Sequence, residues 1–183
     1  EKMPYYQNIS KFNFKKLPVT LFGYFQHLSW YEDIIKDIIE KIYLHRPAEI
    51  DQLQNQKHNV VCFRRADFTQ DGWDLNFSYY KKSLDLLKII PGDNLLLVGD
   101  EFSFLDWVSN NFENMGYKVL KRPRIDIDDF ILDFFMIGTS NKLILSNSTF
   151  HWWAGCFRES YKLNSKNVCY PSLYFPIGYF RKL

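Results

Sequence analysis

Five short apolar runs, separated by segments of helical character, constrain this chain more than any other feature. They are residues 59–63 (NVVCF), 94–98 (NLLLV), 117–120 (YKVL), 142–146 (KLILS) and 167–170 (NVCY). Each is too short for a helix and apolar at consecutive positions, which is the pattern of a strand buried on both faces. Between them lie helical segments at 77–90, 103–114, 128–139 and 148–160. Asn76 is placed to cap the first, Gly116 to stop the second, and two aspartates open the third. Ser148 or Thr149 begins the fourth. A further amphipathic helix is predicted at 30–44, with Ile34, Ile35, Ile38, Ile39 and Ile42 on one face, charges on the other, and Pro47 beyond its end. Strand and helix in alternation predict an α/β fold: a Rossmann-like parallel sheet with helices on both faces.

With 183 residues and 46% hydrophobic residues, the chain can build the core of one such domain. A net charge of +2 without a basic stripe argues against a nucleic-acid partner, so any anion site must be local. Cys62, Cys156 and Cys169 form an odd set without CxxC spacing, which disfavours a disulfide framework or a zinc site. The four histidines are scattered and suggest no metal site. No P-loop, GxGxxG, HExxH or GxSxG string occurs. No run reaches the roughly 18–20 apolar residues of a membrane span. With free-looking cysteines, this points to the cytoplasm and leaves room for peripheral membrane association. The opening at Glu1 reads as the continuation of a longer polypeptide.

In parallel sheets ligands sit beyond the carboxyl ends of the strands. Three candidates follow. Arg64 and Arg65, with Asp67, leave the end of the 59–63 strand, and forked guanidinium donors suit a diphosphate. A plain Arg–Asp surface pair is the competing reading. Ser146, Asn147, Ser148 and Thr149 join a strand to a helix, where hydroxyls and N–H groups hold anions or simply cap the helix. Asp133, on the 128–139 helix, is either a solvated carboxylate or an acceptor for the N–H groups of a purine.

These residues carry a resemblance. Gly23-Tyr24-Phe25-Gln26 with Tyr31, the Cys62–Phe68 block with its paired arginines and aspartate, and Leu143–Gly155 with the rare Ser-Thr-Phe-x-Trp-Trp string are similar to segments of the α-1,2-fucosyltransferases of glycosyltransferase family 11. The blocks span roughly residues 20–175. Cys62 stands where that family has His, Ala66 where it has Gly, and His151 where it has Ser.

The resemblance implies a GT-B enzyme. Residues 1–46 would be an interdomain segment and helix, and 47–183 the GDP-sugar-binding Rossmann-like domain, with the acceptor domain outside this chain. Fucose would pass from GDP-fucose to the 2-hydroxyl of a galactose-containing glycan, with inversion and without an essential metal or other cofactor. Arg64 would hold the β-phosphate and Arg65 would support the motif or the leaving group. Asn147, Ser148 and Thr149 would contribute to the donor site, and Asp133 would read guanine. Asp67, Asp71 and Asp74, on the loop after the arginines, are the candidates for a catalytic base, Asp67 being as well a candidate structural partner of an arginine. Bacterial relatives of this kind work in the cytoplasm, eukaryotic ones in the Golgi lumen. The alternatives are a nucleotide- or carbohydrate-binding domain without turnover, or a polysaccharide glycosyltransferase using another nucleotide sugar.

Overall fold

The strand Asn59–Phe63 (β1) is buried at every position. In this computed structural model, which describes residues 35–51, 58–162 and 167–171, it sits at the centre of a five-stranded, wholly parallel sheet. The other strands are Asn94–Gly99 (β2), Lys118–Leu120 (β3), Leu143–Ile144 (β4) and Val168–Cys169 (β5), and the spatial order is β3-β2-β1-β4-β5. Register runs Asn59 to Leu95 through Phe63 to Gly99 on one side, and Val60 to Leu143 on the other. The edge strands β3 and β5 are the more exposed ones, as their single neighbours require.

The helices are Ile35–Leu44 (α1), Phe68–Asp71 (α2), Phe77–Leu86 (α3), Phe102–Asn114 (α4), Asp129–Thr139 (α5) and Thr149–Lys162 (α6). Alternation along β1 sends Val61 and Phe63 to one face and Val60 and Cys62 to the other. Val61 and Phe63 meet Tyr80 and Leu84 of α3 and Val108 and Phe112 of α4. Val60 and Cys62 join Leu132 and Met136 of α5, Trp152 and Phe157 of α6, and Ile35 and Ile39 of α1. Helices therefore cover both faces, and the two cores are built from opposite sides of the same strands. This is the predicted α/β sheet. Of the predicted helix at 30–44, residues 35–44 are described; the aromatic block at 23–31 lies outside the described residues.

Local chemistry explains where the elements stop. Asn76 caps α3, its side chain accepting from the Ser78 N–H at 2.9 Å. Gly116 ends α4 as its place in the sequence predicts. It takes φ +90° while its N–H donates to Glu113 and that of Tyr117 to Phe112, a double closure of the last turn. The helix α3 is shorter than its apolar pattern, which runs on to Ile90. Lys88 adopts a left-handed φ of 52°, and the N–H of Ile89 returns to Leu84. Leu87 and Ile89 stay in the core, so the hydrophobic pattern continues after the helix has ended. Strand β4 is likewise shorter than 142–146. The carbonyl of Leu145 is taken by the Tyr79 hydroxyl at 2.7 Å. No helix among the described residues is long and apolar enough to cross a membrane.

Candidate functional site

The strand order makes one place on this sheet unlike the rest. From β1 the chain winds outward through β2 to β3, then crosses back to place β4 against the other side of β1. The segments leaving β1 and β4 pass to opposite faces, which opens a crevice beyond their carboxyl ends. A cavity of about 280 Å³ lies there. Its walls come from every strand exit around it: Phe63 and Arg64 at the end of β1, Gly99 and Asp100 at the end of β2, Arg122 after β3, and Ser148, Phe150 and His151 after β4. Asp129, Phe130 and Asp133 line it from the first turns of α5. A second cavity of about 590 Å³, walled by residues 122–126, shares Arg122 and Asp129 with it. Gly99 lets β2 end close to β1; a Cβ there would stand 3.1 Å from the Phe63 carbonyl.

The two arginines point to different tasks. Arg64 lines the cavity and donates to Asp67 and to Asp100, each at 2.7 Å. Its side chain is one-third exposed, so the guanidinium keeps access to solvent and to a ligand. Arg65 turns away. It bridges Asp74 at 2.7 Å and Glu101 at 3.3 Å and lies over the Phe104 ring, while its backbone N–H donates to Asp100 at 2.9 Å. Asp100 thus ties both arginines to the end of β2. Asp67 is exposed and bound to Arg64, the arginine partner that the sequence offered as its competing role.

Asp133 sits on the wall that α5 contributes. Its Oδ1 accepts from Arg122 at 3.0 Å, and the same guanidinium reaches Asp129 at 3.2 Å. Burial pushes the Asp133 carboxyl up to about 6; Arg122 pulls it down and Asp129 adds to the rise. The Arg122 Nε is buried and has no partner among the described residues. Cys62, in the β1 wall behind, is fully buried, and its thiol is pushed well above the ordinary range by burial and then by Asp133.

After β4 the backbone makes the start of α6. Ser148 precedes the first helical residue, its carbonyl accepting from Trp152 at 2.9 Å, and it lines the cavity. Asn147 does not; its side-chain amide donates to the Trp73 carbonyl and secures the 72–76 loop. Thr149 and Ser146 are also absent from the cavity wall. Ser146 is fully buried with its hydroxyl 2.6 Å from Nδ1 of His151, and that imidazole does reach the cavity. Burial lowers the His151 pKa to about 4, with Asp100 opposing and Arg64 reinforcing the shift.

Of the residues named from the sequence, Arg64, Asp133 and Ser148 are brought together around one cavity. Arg65, Asp67, Asn147 and Thr149 stand around them without lining it. Arg122 and His151 were not singled out as site residues. Asp100 lies just after β2, where the sequence places strand-end ligands, and Arg122 follows β3, the same signal that could have found it. His151 becomes visible only once α6 is placed beside Arg64. The lining holds two arginines against three aspartates, and the Arg64 guanidinium is already paired with two carboxylates through two of its five N–H groups. Among the described residues, no group of three or more His, Cys, Asp and Glu side chains could hold a metal ion. No protein-family model matches the sequence, and no curated protein matches it either.

Proposed function

We propose that this chain is the donor-binding domain of a glycosyltransferase and that its switch-point cavity takes a GDP-sugar, GDP-fucose in the first instance. The observation that carries the reading is the meeting of Arg64, the Ser148 helix start and Asp133 on one cavity at the carboxyl edge of the sheet. Arg64 and the first N–H groups of α6 supply hydrogen-bond donors for a diphosphate. The Oδ1 of Asp133 is held by Arg122, which leaves Oδ2 to accept from the N1–H and N2–H groups of guanine. Adenine presents an acceptor at N1 and is rejected by the same oxygen. Phe102 and Phe130, both on the cavity wall and more than 60% exposed, offer ring faces to a base or a sugar.

In the transfer, the acceptor's 2-hydroxyl oxygen bonds to the fucose anomeric carbon. The bond from that carbon to the β-phosphate oxygen breaks, and its electron pair leaves with GDP. Arg64 and the α6 start stabilise the charge that develops on the diphosphate. The hydroxyl proton passes to a carboxylate, Asp67 being the candidate beside Arg64. The acceptor, a galactose-containing glycan, would be held largely by a partner domain in a GT-B arrangement.

Calorimetric titration of GDP tests the donor site. Wild type should bind, and Arg64→Ala should bind at least about tenfold more weakly, the range of a hydrogen bond to a charged group. Equal affinity would falsify the assignment. The excess of carboxylates on the wall favours one second reading, carbohydrate binding without turnover, because carboxylates and exposed rings are also what sugar hydroxyls and sugar faces engage. Incubation with GDP-fucose and a galactoside, the acceptor domain present, separates the two: transferred fucose removes the second reading.

A further inference from the structure

Ser146 and His151 form a buried pair that the proposed chemistry does not use. Ser146 is fully buried and His151 is 5% exposed, and Ser146 Oγ stands 2.6 Å from Nδ1. Among the described residues His151 is the single partner of that hydroxyl. This settles the direction of the bond. If Nδ1–H donated to Oγ, the hydroxyl proton would be buried without an acceptor, at a cost of about 1–3 kcal/mol. The hydroxyl therefore donates to Nδ1, and the ring proton resides on Nε2. That nitrogen has no hydrogen-bond partner among the described residues, while the ring lines the cavity beside Arg64 and Asp100. An imidazole with its proton on Nε2 donates; it cannot serve as a base from that atom.

We infer that His151 is a fixed, uncharged hydrogen-bond donor for an anionic phosphoryl oxygen in the switch-point cavity, held in its Nε2–H form by the buried hydroxyl of Ser146. The inference rests on the reading of this cavity as a diphosphate site. The arrangement adds a donor without adding charge, and it needs no reorganisation when the anion arrives. Burial keeps the ring neutral, with its pKa lowered to about 4, despite the nearby Asp100 carboxylate; the Arg64 guanidinium opposes protonation as well. Ser146 is accordingly a positioning residue, acting on the ligand through the imidazole.

Nitrogen-15 NMR of the full chain labelled at histidine, titrated separately with inorganic pyrophosphate and with GDP, tests this. The expected result is a His151 ring protonated at Nε2 between pH 5.5 and 8, whose Nε2–H resonance moves on saturation with pyrophosphate. In Ser146→Ala the tautomer preference should be lost and pyrophosphate affinity should fall about two- to tenfold, one hydrogen bond's worth. If pyrophosphate moves the Nε2–H and GDP does not bind, the inference stands and the GDP reading fails. An Nδ1–H tautomer overturns the inference, as does an Nε2–H that responds to neither anion.

Discussion

Arg64 donates to two carboxylates, Asp100 in the cavity wall and Asp67 outside it, and this competition sets what substitutions there should do. Asn at position 100 keeps an oxygen to accept from the Arg65 N–H, at 2.9 Å in the present structure, but removes the charge that draws Arg64 away from a ligand. Asp100→Asn should therefore tighten GDP binding, roughly three- to tenfold at the effective dielectric of a partly buried site. Calorimetry reads this directly; weaker binding would show that Asp100 orients Arg64 for the ligand instead. At the other end of the cavity, Asp133→Asn should cost about tenfold or more in GDP affinity and narrow the preference for GDP over ADP. Competition between the two nucleotides measures it. Arg64 and Ser148 were legible because the sequence shows which residues follow strands and which open helices; Asp133, inside α5, was singled out through the resemblance. Asp100 and Arg122 also follow strands, but that they and His151 meet Arg64 depends on the order of strands in the sheet, and no local pattern encodes that order.

At the scale of elements, the positions of secondary structure follow from the apolar pattern, and their ends follow from side-chain chemistry that competes with it. Residues 87–90 read as helix because Leu87 and Ile89 are core residues, yet the backbone has already turned at Lys88. The helix α5 packs closely on α6. A Cβ at Gly138 would stand 2.5 Å from the Phe157 ring, and Arg158 on the next position of α6 donates to the Ser140 carbonyl at 3.0 Å. Gly138→Ala should destabilise the fold by about 1–3 kcal/mol through overpacking. Gly138 lies in the last turn of α5, about one and a half turns beyond the Asp129–Asp133 segment that meets the cavity, so GDP affinity should be unchanged. Urea denaturation beside a GDP titration checks both halves. A loss of affinity without a loss of stability would place the α5–α6 contact in the binding function.

For the whole molecule, two titrating groups on the same cavity, His151 buried and Asp133 partly buried, pull stability in opposite directions with pH. His151 takes up its proton near 6.5 when unfolded and near 4 when folded, so it costs stability as pH falls through that window. Asp133 moves the other way, from 3.8 unfolded to about 6 folded, and its contribution to stability is lost as pH rises through that interval. The urea midpoint should accordingly rise less between pH 4.5 and 6.5 in His151→Gln than in wild type, and rise more in Asp133→Asn. Identical pH profiles for all three would contradict the burial of both groups. The parallel sheet and its two helical layers were legible from alternation alone. The crevice between β1 and β4 came from topology, and it is what turns separate strand-end residues into one site.

A crystal structure of the chain with GDP bound tests the donor-site proposal most directly. It should show the β-phosphate within hydrogen-bond distance of Arg64 and the start of α6, with the guanine N1–H and N2–H edge on Asp133. GDP bound away from the β1–β4 crevice, or with guanine turned from Asp133, would contradict it.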